Sequence, residues 1–166
     1  MGEREDLVAA LDQQRYLLRN TLRDLTDDQA RLRPSASELC LGGLIKHVGL
    51  TERQWTQFIK VGPSAMSGGF DDAARARWMN AFQMGDDETI EQILAGYDDV
   101  ARETDEVVMS APDLDASQPL PRAPWHEPGA TWTVRHTVLH ILTEIAQHSG
   151  HADIIRESID GAKSMG

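Results

Sequence analysis

The chain has 166 residues, 40% of them hydrophobic and 26% charged, enough for one hydrophobic core and little more, so a single domain spanning residues 1–166 is expected. Its 16 Lys and Arg against 27 Asp and Glu give a formal net charge of −11, which repels polyanions and sets aside general nucleic-acid binding and anionic membrane surfaces. One cysteine, Cys40, fits a reducing compartment, no apolar run nears the ~20 residues of a membrane span, and MGEREDLVAA lacks a signal peptide's regions; a cytoplasmic protein with small-molecule partners is expected.

Four long segments carry a helical period and none a convincing period of two, which predicts an all-α fold. In the first, Leu7, Leu11, Leu18, Leu22 and Leu25 predict a helix from Glu3 to Leu25 that TDDQA and Pro34 break. The second runs from Leu41 to Lys60, where Leu44, Val48, Trp55 and Ile59 share a face with His47, and Gly62-Pro63 ends it. PSAMSGG then reads as a loop, within whose continuation DDAARARWMNAF fits a short helix. A third long helix starts near Asp87, repeats apolar residues at Ile90, Ile93, Leu94, Tyr97, Val100 and Val107, and stops before Pro112. The proline-rich stretch up to Thr131 reads as irregular. The last helix begins at Thr131 or Thr133, either of which can cap it, and continues to Ile159. Amphipathic helices of roughly 20 to 29 residues make a four-helix bundle the economical arrangement. Its long loops, between helices two and three and between three and four, gather at the bundle ends, where a substrate mouth fits.

The chain has six histidines, and four of them, His136, His140, His148 and His151, fall in the last helix. His136, His140, Glu144 and His148 are spaced four apart. Each such step advances about 6 Å and rotates about 40°, so the row is a precessing ridge that no single ion can span. Bonds of about 2.0–2.2 Å demand a neighbouring pair, and three compete: His136 with His140, His140 with Glu144, and Glu144 with His148. The stripe of Val134, Val138, Ile141, Ile145, Ala152 and Ile155 includes His148, carries Glu144 on its margin and leaves His136 outside. An inward carboxylate and imidazole are costly unless paired or metal-bound, which favours Glu144 with His148. His47, inward on the second helix, supplies the third ligand that a site with an exchangeable water requires. The plain alternatives are a hydrogen-bonded core histidine at position 47 and a helical Glu144–His148 ion pair contributing about 0.3–0.5 kcal/mol. His136 and His140 read as solvated or outer residues, and His126, in the loop, as a surface residue.

The stretch IKHVGLTERQW at Ile45 to Trp55, with EIAQHSGHADIIRE at Glu144 to Glu157, resembles the DinB-like superfamily of metal-binding four-helix bundles. The likeness covers nearly the whole chain in element order and loop placement. The superfamily's fingerprints are one histidine on helix two and, on the last helix, a ligand four residues before a histidine; they fall on His47, Glu144 and His148. Many members have histidine where this chain has Glu144, and the Glu form resembles the mycothiol-dependent maleylpyruvate isomerase branch. The resemblance implies a divalent metal cofactor, Zn²⁺ first and Ni²⁺ second, and both ligand types suit zinc. It also implies a low-molecular-weight thiol cosubstrate such as mycothiol or bacillithiol, or glutathione in some branches.

The leading expectation is a metal-dependent thiol S-transferase, in which an ion on His47, Glu144 and His148 stabilises a thiolate for attack on a small electrophile. His151, one turn beyond His148, is the candidate catalytic residue, supporting a ligand or shuttling a proton; its plain reading is a partly exposed residue near the helix end. Two rivals are a metal-assisted hydrolase with the same ligands and a non-catalytic bundle that binds metal or forms a homodimer. Cys40 precedes a helix, where a thiol pKa can fall, but its Leu39 and Leu41 neighbours make it an apolar filler. Trp125 and Trp132 bracket the proline-rich loop and fit a pocket mouth, Trp55 and Trp78 read as core anchors, and Arg135 and Arg156 read as surface charges or as a hold on an anionic substrate group.

Overall fold

Helix α1 (Glu3–Asn20) carries Glu3, Glu5 and Asp6 in its first turn, where free N–H groups and the helix dipole favour anions, and Glu5 accepts from the Gly2 amide. The computed structural model, which describes residues 2–66 and 72–165, ends this helix at Asn20 and not at Leu25. The cause is local. The amides of Thr21, Leu22 and Arg23 bond back three residues, to Leu18, Arg19 and Asn20, and Asp24 turns the chain at a φ of 62°. Leu22 reaches the core from this tightened turn, so the apolar period outruns the helix. Arg156 caps the carbonyls left free there, donating from Nη1 to Thr21 O at 2.8 Å and Arg23 O at 2.7 Å while Asp160 holds its Nη2 at 2.8 Å. Arg156 is therefore a buried tie between the first and last helices and not a surface charge.

The TDDQA segment does more than break a helix. Thr26 and Gln29 form a reciprocal cap that starts α2 (Asp27–Arg31). Next come α3 (Leu41–Val61), which ends at Gly62, and a 3₁₀ turn (Gly62–Met66). Within the DDAARARWMNAF segment α4 (Asp72–Ala81) forms, as its composition suggested, while residues 67–69 of the expected PSAMSGG loop lie outside the described residues. Helix α5 (Ile90–Ser110) starts later than Asp87 because the Thr89 hydroxyl accepts from the Gln92 amide and closes a capping box. Of the two candidate caps on the last helix, α6 (Val134–Asp160), Thr133 is the one used, accepting from the His136 amide. At its far end Gly161, with a φ of 78°, lets its own amide bond Glu157 O.

The proline-rich connection is not wholly irregular. Ser117–Pro119 (β1) pairs antiparallel with Thr131–Thr133 (β2), placing Trp132 opposite Gln118. Pairs this short escape a period-of-two search, because three residues cannot establish alternation.

The bundle is the predicted all-α arrangement of four long helices, α1, α3, α5 and α6, with α3 packed against both α5 and α6, and α1 against α5 and α6. Leu11, Leu18, Leu44, Ile45, Val48, Ile141, Ile145 and Ile155 meet in its core. Three helices are also tied by charge. Arg15 on α1, fully buried, donates to Glu52 on α3 at 2.5 Å and to Asp105 on α5 at 2.8 Å. Losing one partner of such a buried set strands the other's charge, so these contacts fix helix register.

The first turn of α3 lies against the chain just beyond α4. An added Cβ on Gly42 would overlap the Met84 side chain, and one on Gly43 the Phe82 carbonyl. Cys40 fills the same junction, buried, with its Sγ 3.8 Å from that carbonyl. Gly43→Ala is expected to destabilise the protein by roughly 1–3 kcal/mol in urea unfolding, as overpacking does. Gly96→Ala is the control: it lies in α5 with nothing within 4 Å of a new Cβ, and should be neutral or stabilising by up to ~1 kcal/mol. Equal stabilities for Gly43→Ala and wild type would contradict the close approach.

Candidate metal centre

Where α3 packs on α6, the inward side chains at one level of the bundle are imidazoles. The ring centroids of His47 and His148 lie 4.8 Å apart with planes inclined at 77°. Glu144, one turn before His148, points its Oε2 to within 3.7 Å of His148 Nε2. His47, Glu144 and His148 offer ligand atoms that all lie within 4.8 Å of one another, and no other group of three His, Cys, Asp or Glu among the described residues does so.

The donor set fits a divalent ion. Tetrahedral bonds of about 2.0–2.2 Å place ligand atoms about 3.3–3.6 Å apart, a span that small side-chain rotations reach from the observed separations. His47 is 2% exposed, and its Nδ1 has no hydrogen-bond partner. A buried nitrogen without a partner is an exception that calls for a reason, and the plain reading of His47 as a hydrogen-bonded core histidine supplies none for that atom. Electrostatics point the same way: burial, reinforced by His148, holds the His47 imidazole down at about 4, and burial likewise lowers His148 against the opposing pull of Glu144. Both rings are thus neutral at pH 7, the form in which histidine ligates.

Aromatic rings flank the cluster. Phe82, just beyond α4, stacks on His47 at 3.8 Å, and Trp78 of α4 meets the same ring edge-on at 4.6 Å. On the other flank Trp55 of α3 stacks on Trp132 of β2 at 4.7 Å, and both touch His140. Trp55 is the core anchor expected, packed against the core while its ring reaches the surroundings of the centre, whereas Trp78 is 47% exposed and anchors no core. Trp132 stands near the site as a mouth residue would, whereas Trp125 lies out beside His126, 69% exposed.

The remaining candidates separate clearly. His151 stands behind His148, their Nδ1 atoms 3.4 Å apart. His136 is exposed and packs against Trp132, and His126 sits in the loop with its Nδ1 3.1 Å from Pro121 O; neither joins the cluster. Arg135 pairs with Glu3 and Asp115 at the bundle end. Cys40 precedes His47 by seven residues, about 10 Å along the helix axis, which keeps its thiol from the centre. Sequence reasoning missed Phe82 and the contacts of Trp78 with His47 and of Trp55 with His140. The available signal was Gly42-Gly43 at the start of a helix, which marks a close backbone approach without saying what approaches.

A family model described as mycothiol S-transferase matches residues 6–161. The chain belongs to the mycothiol S-transferase family. The resemblance carried by His47, Glu144 and His148 thus led to the correct group. Among solved structures, a conserved protein of Enterococcus faecalis matches with a TM-score of 0.66 at 15% identity, covering 98% of this chain and 99% of that one. At that identity the likeness concerns the fold alone. No curated protein matches.

A pH dependence follows for this family member in its metal-free form. The His47 imidazole titrates near 4 when folded and near 6.5 when unfolded, so between those values the unfolded chain binds more protons. Stability is therefore complete above about pH 6.5 and declines as the pH falls toward 4. His47→Leu should flatten that decline, read as the urea midpoint of metal-free protein at successive pH values; parallel curves for the two proteins would contradict the assignment.

Proposed function

We propose that this protein is a metal-dependent S-transferase that joins a low-molecular-weight thiol, mycothiol or a close analogue, to a small electrophile. One observation carries the reading: two imidazoles and a carboxylate converge across α3 and α6 in a chain of the mycothiol S-transferase family. His47, Glu144 and His148 hold the ion, zinc first by donor chemistry and nickel second. A divalent ion held there favours the thiolate form of a thiol at neutral pH.

The chain's own residues arrange the rest. Glu144 brings the one formal negative charge among the three ligands and so moderates the positive charge of the centre. His151, its Nδ1 3.4 Å from that of His148, shares a proton with that ring and keeps its Nε2 turned toward Glu144. The aromatic rings around His47 and His140 limit water at the centre, which strengthens electrostatic contacts there. The reacting sulfur comes with the cosubstrate and not from Cys40, which is buried against the Phe82 carbonyl at the start of α3. The net charge of −11 repels polyanions and so favours small molecules over nucleic acid as partners.

Two variant sets test this. His47→Ala and His148→Ala should lose retained metal, with affinity falling well beyond the ~10–100-fold expected for an outer partner, while His126→Ala and His136→Ala keep it; loss in His136→Ala with retention in His148→Ala would contradict the ligand choice. In thiol-dependent consumption of a model electrophile, Cys40→Ser should retain most activity and Glu144→Gln should lose most of it, because a neutral amide is the poorer ligand. Turnover that proceeds equally without thiol would favour a hydrolase, and a folded, metal-loaded but inactive Cys40→Ser would place the nucleophile on the protein.

A further inference from the structure

The sequence left His140 with Glu144 as one of three competing ligand pairs. In the structure that pair is not separate from the centre. Glu144 lies midway between two imidazoles on its own helix: its Oε2 is 3.7 Å from His148 Nε2 and its Oε1 is 3.7 Å from His140 Nε2. One carboxylate oxygen thus faces the His47–His148 cluster while the other faces His140. We infer that His140 is a positioning residue, donating from Nε2 to the second oxygen of Glu144 and so fixing the direction in which the first oxygen meets the metal. This rests on the assignment of Glu144 as a ligand.

Three observations support it. A carboxylate whose second oxygen is untethered swings between one-oxygen and two-oxygen binding, and a hydrogen bond on that oxygen removes the freedom. The 3.7 Å separation lies just beyond hydrogen-bond length, so a modest turn of the carboxylate closes it. His140 is also held from outside its own helix: the Trp55 ring on α3 meets it edge-on at 4.7 Å, and the Trp132 ring on β2 is tilted against it at 4.8 Å. Trp55 and Trp132 in turn stack on each other at 4.7 Å. The orientation of His140 is therefore a product of the tertiary fold, and the short β1–β2 ribbon acquires a purpose: it delivers Trp132 to the ring that steadies Glu144.

The test is zinc affinity, measured by competition with a chromophoric chelator, for wild type, His140→Ala and His140→Gln in the full chain. His140→Ala should bind zinc about 10–100-fold more weakly. His140→Gln should recover most of that loss, because its side-chain amide reaches the same oxygen with a donor. The metal-free forms of all three should melt within a few degrees of one another. Wild-type affinity in His140→Ala would overturn the inference. So would a glutamine variant no better than alanine, since the loss would then come from ring packing against Trp55 and Trp132. Wild-type protein that takes up no zinc would instead overturn the metal centre itself.

Discussion

Burying His47 is the constraint to which the neighbouring structure answers. An imidazole inside a helical bundle has given up water, and it is tolerated only where something else meets it. Here one face is covered by Phe82, one edge by Trp78, and His148 approaches from the opposite helix. Each contact requires α3 to be held in place. Its first turn is pressed against Phe82 and Met84 through Gly42 and Gly43, which leave no room for side chains. Lys46, beside His47, reaches across to Gln83 O at 2.8 Å and Glu88 at 2.6 Å, binding the segment that carries Phe82. One turn beyond the histidine, Glu52 meets the buried Arg15 and ties α3 to α1.

Those restraints decide which chemistry the site can offer. Two neutral imidazoles and one carboxylate make a donor set of low charge, so a divalent ion bound there would keep net positive character, as the proposed thiolate chemistry requires. Glu144 remains 28% exposed on its side chain, so the cluster is open on that side while His47 is closed off. A three-ligand centre with one accessible flank is the pattern of reactive sites; structural zinc sites are closed by a fourth protein ligand.

The convergence of His47, Glu144 and His148 was legible in the sequence because the helical period converts spacing into direction. Glu144 and His148 are one turn apart beside Ile141 and Ile145, and His47 follows Leu44 and precedes Val48 on the buried side of its helix. The same period misled at Leu22 and Leu25, since a tightened turn can deliver leucines to a core as well as a helix can. What stayed hidden depends on contacts between segments far apart in the chain. Arg156 looks like any other surface charge until the carbonyls of Thr21 and Arg23 are brought beneath it. Phe82, Trp78 and Trp132 acquire their places from chain paths through a glycine-rich junction and a three-residue ribbon, neither of which leaves a periodic trace. The spacing already put Glu144 between His140 and His148; what it could not give is the pair of rings, Trp55 and Trp132, that hold His140 from other elements.

The most direct test of this account is anomalous diffraction from crystals of the zinc-loaded protein, collected on both sides of the zinc absorption edge. The account predicts one strong peak per chain, within bonding distance of His47, Glu144 and His148, with an open position on the side of Glu144. A peak placed instead among His126, His136 and His140, or no peak at full zinc loading, would contradict it.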